Sequence, residues 1–123
     1  MCSGKIYYDL LEEREKTKTD DVIFIRLEQL YPFPSKAVKE MLDKTPEASI
    51  VWCQEEPKNM GGWTFVRDFI EDIMAEVGMT QQRLAYAGRA AAASPAAGTL
   101  SRHNREQNDL VEAALDLSAN KKT

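Results

Sequence analysis

Glu55 and Glu56 close the run VWCQEE at 51–56, and Pro57, Lys58, Asn59 and the pair Gly61-Gly62 follow before an amphipathic stretch begins. Two carboxylates in one site can divide the roles of general acid and general base. Neighbours in extended chain point to opposite faces, so these two cannot form a matched pair on one face. The plain reading is a pair of solvated or salt-bridged loop acids. The functional reading is one acid turned to a domain interface and paired with Lys58 or with a partner's arginine. Asn59 and the glycines can instead present backbone N–H groups at a helix start, which favours anions, although the two acids oppose this. Ser3-Gly4-Lys5 resembles an anion-binding turn, since a helix start and Lys5 both favour phosphate; ordinary capping is the simpler alternative. His103 stands beside Arg102 without an identifiable catalytic partner, so a surface or capping role is the default.

These residues need elements to position them. The segment 22–27 (VIFIRL) is near-continuously apolar and β-branched, as a strand covered on both faces should be. Residues 49–53 form a second strand candidate, and 83–87, closed by Gly88, a weaker third. Helical spacing appears at 6–16 through Tyr7, Leu10 and Leu11. After Pro34, Ser35 is placed to cap a helix with Val38, Met41 and Leu42 on one stripe. Val66, Phe69, Ile70, Ile73 and Val77 make the clearest helix, with Gly78 as its C-cap. A last helix is predicted over 102–117, carrying Leu110, Val111, Ala114, Leu115 and Leu117. The order helix, strand, helix, strand, helix, strand, helix predicts an α/β fold, a three-layer Rossmann-like sandwich with a mostly parallel sheet. Only Met1 and Cys2 precede the first turn, so the first strand reads as truncated and a sheet position as vacant. One domain over 1–117 and a polar tail at 118–123 complete the division. The stretch 88–101 (GRAAAASPAAGTLS) reads as a bland linker, or as a loop kept small for a close-packing surface.

Composition narrows the function. A chain of 123 residues with 43% hydrophobic and 29% charged residues is an ordinary globular domain. The net charge of −4 argues against a nucleic-acid partner. No apolar run is long enough to span a membrane, and the start lacks the apolar core of a signal peptide. Cys2 and Cys53 form no CxxC pair, which suits reduced thiols and an intracellular setting. One histidine without a neighbouring cysteine argues against zinc. Glycine-rich phosphate loops and the G-x-S-x-G nucleophile elbow are missing, so no free-standing catalyst declares itself. Trp52, Trp63, Tyr86 and Phe33 read as core or interface packing. In LYPFP at 30–34, stiff and apolar for a loop, Tyr31 and Phe33 read as offered to a neighbouring domain.

Four segments in order, CSGKIYYDLLEERE at 2–15, RLEQLYPFP at 26–34, VWCQEEPKNMGGWTFV at 51–66 and YAGRAAAASPAAGTLSRH at 86–103, resemble one family. It is the C-terminal, transketolase-like domain of the E1 component of 2-oxoglutarate dehydrogenase. The resemblance implies a full subunit that decarboxylates 2-oxoglutarate on thiamine diphosphate with magnesium and passes a succinyl group to the lipoyl arm of E2. It implies that cofactor, metal and substrate are held by other domains, so no cofactor and no catalytic residue is expected in this chain. It implies a role in the homodimer with a second E1 subunit and in supporting the remaining E1 domains. Some members sense an acyl-CoA or a nucleotide such as AMP, for which Lys5, Arg89 and Arg102 are the candidates here. A bacterial cytoplasm is the implied setting, or a mitochondrial matrix in a eukaryote. GRAAAASPAAG stands where GRPASASPATG is usual, which puts a polar contact at Ala92 in doubt, and GGW replaces GAW. The alternatives are a non-enzymatic acyl-CoA- or nucleotide-sensing domain of the same descent, and a related enzyme with another 2-oxo acid.

Overall fold

The computed structural model describes residues 1–80, 82–93 and 98–116. The proposed Leu117, the tail 118–123 and part of the small-residue linker lie outside the described residues. Four helices and two strands follow one another as α1 (Ile6–Thr17), α2 (Ser35–Asp43), β1 (Val51–Pro57), α3 (Trp63–Glu76), β2 (Ala85–Arg89) and α4 (Leu100–Leu115).

β1 and β2 are parallel, with Val51 opposite Ala85, Trp52 opposite Tyr86 and Cys53 opposite Ala87, and a register shift before Pro57 and Arg89. Residues 1–3 lie on the other side of β1, since Cys2 bridges both Cys53 and Arg26 in parallel sense. The Cys53 N–H donates to the Met1 carbonyl at 2.8 Å, the Cys2 N–H to the Ile25 carbonyl at 3.0 Å, and the Leu27 N–H to the Cys2 carbonyl at 2.8 Å. The lateral order is therefore 22–28, then 1–3, then β1, then β2. Residues 1–3 occupy only the end of the central sheet position; beyond Met1 a cleft lined by Ile23, Ile25, Ser49, Ile50 and Val51 separates the neighbouring segments, so the truncated strand and open sheet position read from the sequence are what the fold shows. The expected strand at 22–27 shrinks to a single bridge at Arg26, because three residues of neighbouring backbone can bond no more of it.

Side-chain alternation sends Trp52 to one face and Val51 and Cys53 to the other. Trp52 joins Leu27, Val38, Leu42, Trp63, Val66, Ile70 and Ile73 under α2 and α3. Val51, Cys53 and Ala87 join Cys2, Ile6, Leu10, Leu110, Val111 and Ala114 under α1 and α4. Helices thus cover both faces, and the three-layer α/β sandwich read from the sequence is the observed architecture.

Helix ends show where local chemistry differs from expectation. Ser35 is the first residue of α2, Pro34 takes the capping position, and no side chain caps it. Proline fits there because it has no N–H to satisfy. α3 ends with the Met79 N–H on the Met74 carbonyl at 2.8 Å and the Gly78 N–H on the Ala75 carbonyl at 3.2 Å. Gly78 has φ 89°, the left-handed conformation that glycine adopts without penalty. Phe69, counted in the apolar stripe, instead sits on the outer side of α3 and stacks on Phe33 with ring centroids 5.0 Å apart. α4 starts at Leu100, two residues earlier than predicted, because Thr99 caps it, its hydroxyl accepting from the Arg102 N–H at 3.2 Å.

Candidate functional site

The carboxyl ends of β1 and β2, the first turn of α1 and the first half of α4 converge on Arg89, the last residue of β2. Its side chain is only 7% exposed. A buried guanidinium must find acceptors for its donors. Its Nε donates to Glu106 Oε1 at 3.1 Å, and one terminal nitrogen donates to the Glu55 carbonyl. The other reaches Gln107 Oε1 at 3.0 Å, the His103 carbonyl at 3.2 Å and His103 Nδ1 at 3.4 Å. The i, i+3 and i+4 spacing of His103, Glu106 and Gln107 puts all three on the α4 face that carries Leu110 and Ala114 into the core.

A second ring of contacts surrounds this arginine. Glu55 Oε1 accepts from Lys5 Nζ at 2.6 Å and from Gln107 Nε2 at 3.0 Å. Gln107 Nε2 also donates to Asp9 Oδ2 at 2.6 Å. Glu106 Oε2 accepts from Arg102 Nε at 2.9 Å. Cations at 5, 89 and 102 are thus offset by carboxylates at 9, 55 and 106. The Arg102 hydrogen bond, and then Arg89, hold the Glu106 carboxyl below its usual pKa, and the bond to Glu55 raises that of the Lys5 ammonium.

Buried Gln54 organises the adjoining loop. Its Oε1 accepts from Trp52 Nε1 at 2.9 Å and from the Trp63 N–H at 2.8 Å. Its amide nitrogen donates to the Met60, Pro57 and Glu56 carbonyls at 2.8, 3.0 and 3.1 Å. One side chain therefore ties the end of β1, the loop and the start of α3 together. Gly61 has φ 67°, and a Cβ there would stand 2.9 Å from Glu56 Cβ, so the turn requires glycine.

The structure brings Lys5, Glu55, Arg89, Arg102 and His103 into one cluster. The remaining sequence candidates lie outside it. Glu56 is exposed near the end of β1. Lys58 pairs with neither Glu55 nor Glu56 but lies over the rings of Tyr86 and Trp63, at 5.4 and 6.0 Å from their centroids. Asn59 clamps Ala92 through both groups of its side-chain amide, at 2.9 and 3.0 Å. That contact uses the backbone at 92, so it does not need the hydroxyl that alanine lacks. Tyr31, 79% exposed, and Phe33 belong to the α2/α3 layer, where Tyr31, Phe65, Phe69 and Phe33 form a ring-to-ring chain. Ser3 does not cap α1; its hydroxyl donates to the Leu27 carbonyl at 2.7 Å.

Sequence reasoning missed Gln54, Asp9, Glu106 and Gln107. Gln54 carried a readable signal, a polar residue inside an otherwise buried strand. Glu106 and Gln107 were legible as polar positions continuing the apolar face of α4. Asp9 had no signal, because its link to Gln107 spans 98 residues. Burial raises the pKa of both cysteine thiols, and that of Cys53 is pushed up to about 12. They face the apolar α1/α4 layer. Among the described residues, no group of three or more His, Cys, Asp or Glu side chains is placed to hold a metal ion. Among the same residues, no helix is long and apolar enough to cross a membrane.

A parallel α/β module covered by helices on both faces, with its strand ends closed by a buried and charge-paired arginine, is the class of domain these features define. A family model described as 2-oxoglutarate dehydrogenase C-terminal matches residues 1–115. The chain belongs to that family. It is 53% identical over 115 residues to proteins named 2-oxoglutarate dehydrogenase E1 component from Brucella anthropi, Brucella ovis and Brucella canis. The match takes in 94% of this chain and 12% of each relative, so the chain spans about an eighth of their length.

Proposed function

We propose that this domain serves a 2-oxoglutarate dehydrogenase E1 component as a structural and assembly module, and that the decarboxylation is carried out elsewhere in the subunit. The observation that carries this reading is the way Arg89 is held within the fold. Each of its three nitrogens donates to a group of this same chain, and its charge is offset locally. A group so fixed positions backbone rather than turning over substrate. Thiamine diphosphate, magnesium and 2-oxoglutarate would then be bound outside these residues, and the succinyl group would pass to the E2 lipoyl arm there. The aromatic chain from Tyr31 to Phe33 supports contact with the remaining E1 domains or a second E1 subunit, since exposed ring clusters mark interfaces. The test is an assay of the 123-residue chain with thiamine diphosphate, magnesium and 2-oxoglutarate. No turnover is expected, and measurable carbon dioxide release would overturn the reading.

A second reading is regulatory. Lys5 and Arg102 flank Arg89 and have side chains 77% and 63% exposed, so an acyl-CoA or AMP phosphate could reach them by displacing Glu55 or Glu106. Calorimetry with acetyl-CoA and with AMP separates the two. Binding near micromolar that Lys5→Ala weakens supports regulation; no heat with either leaves the structural role.

A further inference from the structure

Met1 stands at the inner end of a slot in the sheet, between residues 23–25 and 49–51. The slot opens toward both helical layers. On the α2 side it is a cleft of about 510 Å³ lined by Ile25, Met41, Leu42, Ala48 and Ile50 among others. On the α1/α4 side it is a pocket of about 50 Å³ that reaches Leu10, Phe24 and Ala114. Met1, Ile23, Ser49 and Val51 line both. A gap between two parallel walls that reaches both faces of a sheet has the shape of one strand.

The walls carry matching backbone groups. Cys2 bonds to one wall, through the Ile25 carbonyl and the Leu27 N–H. Met1 bonds to the other, its nitrogen donating to the Val51 carbonyl at 2.6 Å and its carbonyl accepting from the Cys53 N–H at 2.8 Å. A parallel ladder repeats every two residues. One repeat further back, the Ile25 N–H and the Ile23 carbonyl face the slot from one side, and the Val51 N–H and the Ser49 carbonyl from the other. None of these four groups has a hydrogen-bond partner among the described residues. The Met1 nitrogen has one partner among them, which suits a peptide N–H with a single donor better than an ammonium with three. Burial lowers the pKa of that ammonium, as desolvation does to any cation.

We propose that the slot receives one parallel β-strand of about three residues, the stretch of polypeptide that leads directly into Met1 in a protein of the relatives' length. Covalent continuity identifies it. A strand from a second copy, or from a distant part of the subunit, would have to turn away within a residue of the Met1 nitrogen, between walls that are covered by helices on both faces. The relatives supply the length, since the matched part is 12% of each. Alternation fixes the side chains. Met1 packs against the α2/α3 layer and Cys2 lies in the α1/α4 layer. The residue before Met1 therefore turns to the pocket at Leu10 and Ala114, and the one before that to the cleft at Met41 and Ile50; both are apolar. Residues 22–27 then pair along their length, and the domain joins the rest of its subunit through its central strand.

The test places before Met1 the four residues that precede the matched segment in the Brucella ovis relative. A Gly-Ser-Gly-Ser extension is the control, and amide hydrogen exchange resolved to single residues is the readout. With the relative's residues, the Ile25 and Val51 amides should exchange about 100-fold or more slowly than in the 123-residue chain, while Leu27, already bonded to Cys2, changes less. Unchanged rates at Ile25 and Val51 would overturn the proposal. Equal protection by the Gly-Ser extension would overturn the assignment of apolar side chains to the slot, as would a charged residue at either of the last two positions of the relative's segment.

Discussion

Replacing Arg89 by methionine removes the charge and keeps much of the side-chain volume. Three kinds of acceptor then lose their donor: the Glu106 carboxylate, the Gln107 amide oxygen, and the Glu55 and His103 carbonyls. Breaking a buried ion pair by deleting one member costs about 3–5 kcal/mol, because the surviving groups stay desolvated. Glu106 is 28% exposed and keeps Arg102, so the lower half of that range is expected, about 3–4 kcal/mol. Against a total stability of roughly 5–15 kcal/mol this is a large fraction. At roughly 4 °C per kcal/mol for a domain of this size, Tm should fall by about 12–16 °C. Urea unfolding followed by tryptophan fluorescence measures it directly, since Trp52 and Trp63 are both buried. Arg102→Ala is the internal control: it breaks an exposed pair and should cost about 0–1 kcal/mol. If Arg89→Met cost under about 1 kcal/mol with an unchanged denaturant slope, the arginine would not be the keystone described above, and the structural reading of the site would lose its main support.

Gln54→Leu strands the Trp52 and Trp63 donors and the carbonyls of the 56–60 loop, and should cost about 2–4 kcal/mol by urea unfolding. With its pKa near 12, Cys53 is about one part in ten thousand thiolate at pH 8. A thiol-specific disulfide reagent should therefore label both cysteines at least about 100-fold more slowly in the folded chain than in urea. Glu106 has its folded pKa depressed below the ordinary 4.5, so it adds stability above that pH and loses it as pH falls through the depressed value. The stability gap between the natural chain and Glu106→Gln should accordingly narrow as urea midpoints are measured from pH 7 down through 4.5.

The layers were legible because apolar runs and helical stripes set them directly: VWC and the Val66–Ile73 spacing each lead to a buried surface, whereas of VIFIRL only Leu27 is fully buried and Ile23 is exposed. The sheet's true order was not. A three-residue segment such as 1–3 is too short to show any periodicity, yet its backbone bonds seat it between 22–28 and β1. The polar cluster was half legible. Glu55, Arg89 and Arg102 announced themselves by charge, but their partners Asp9 and Gln107 meet only through folding, across 98 residues. Lys58 was misassigned for a related reason: sequence proximity to Glu55 and Glu56 carries no direction, and the loop held by Gln54 turns it toward aromatic rings instead. Ser35 was read as a cap by residue type, whereas the proline before it took that position.

The most direct measurement is a transplant. The 115 residues of the Brucella ovis relative that match this chain would be deleted, and residues 1–115 of this chain put in their place. Subunit mass by sedimentation and 2-oxoglutarate-dependent turnover would then be compared among the intact, deleted and chimaeric proteins. The account predicts that the deleted protein loses assembly and turnover together and that the chimaera regains both. A deleted protein that assembles and turns over like the intact one would contradict it.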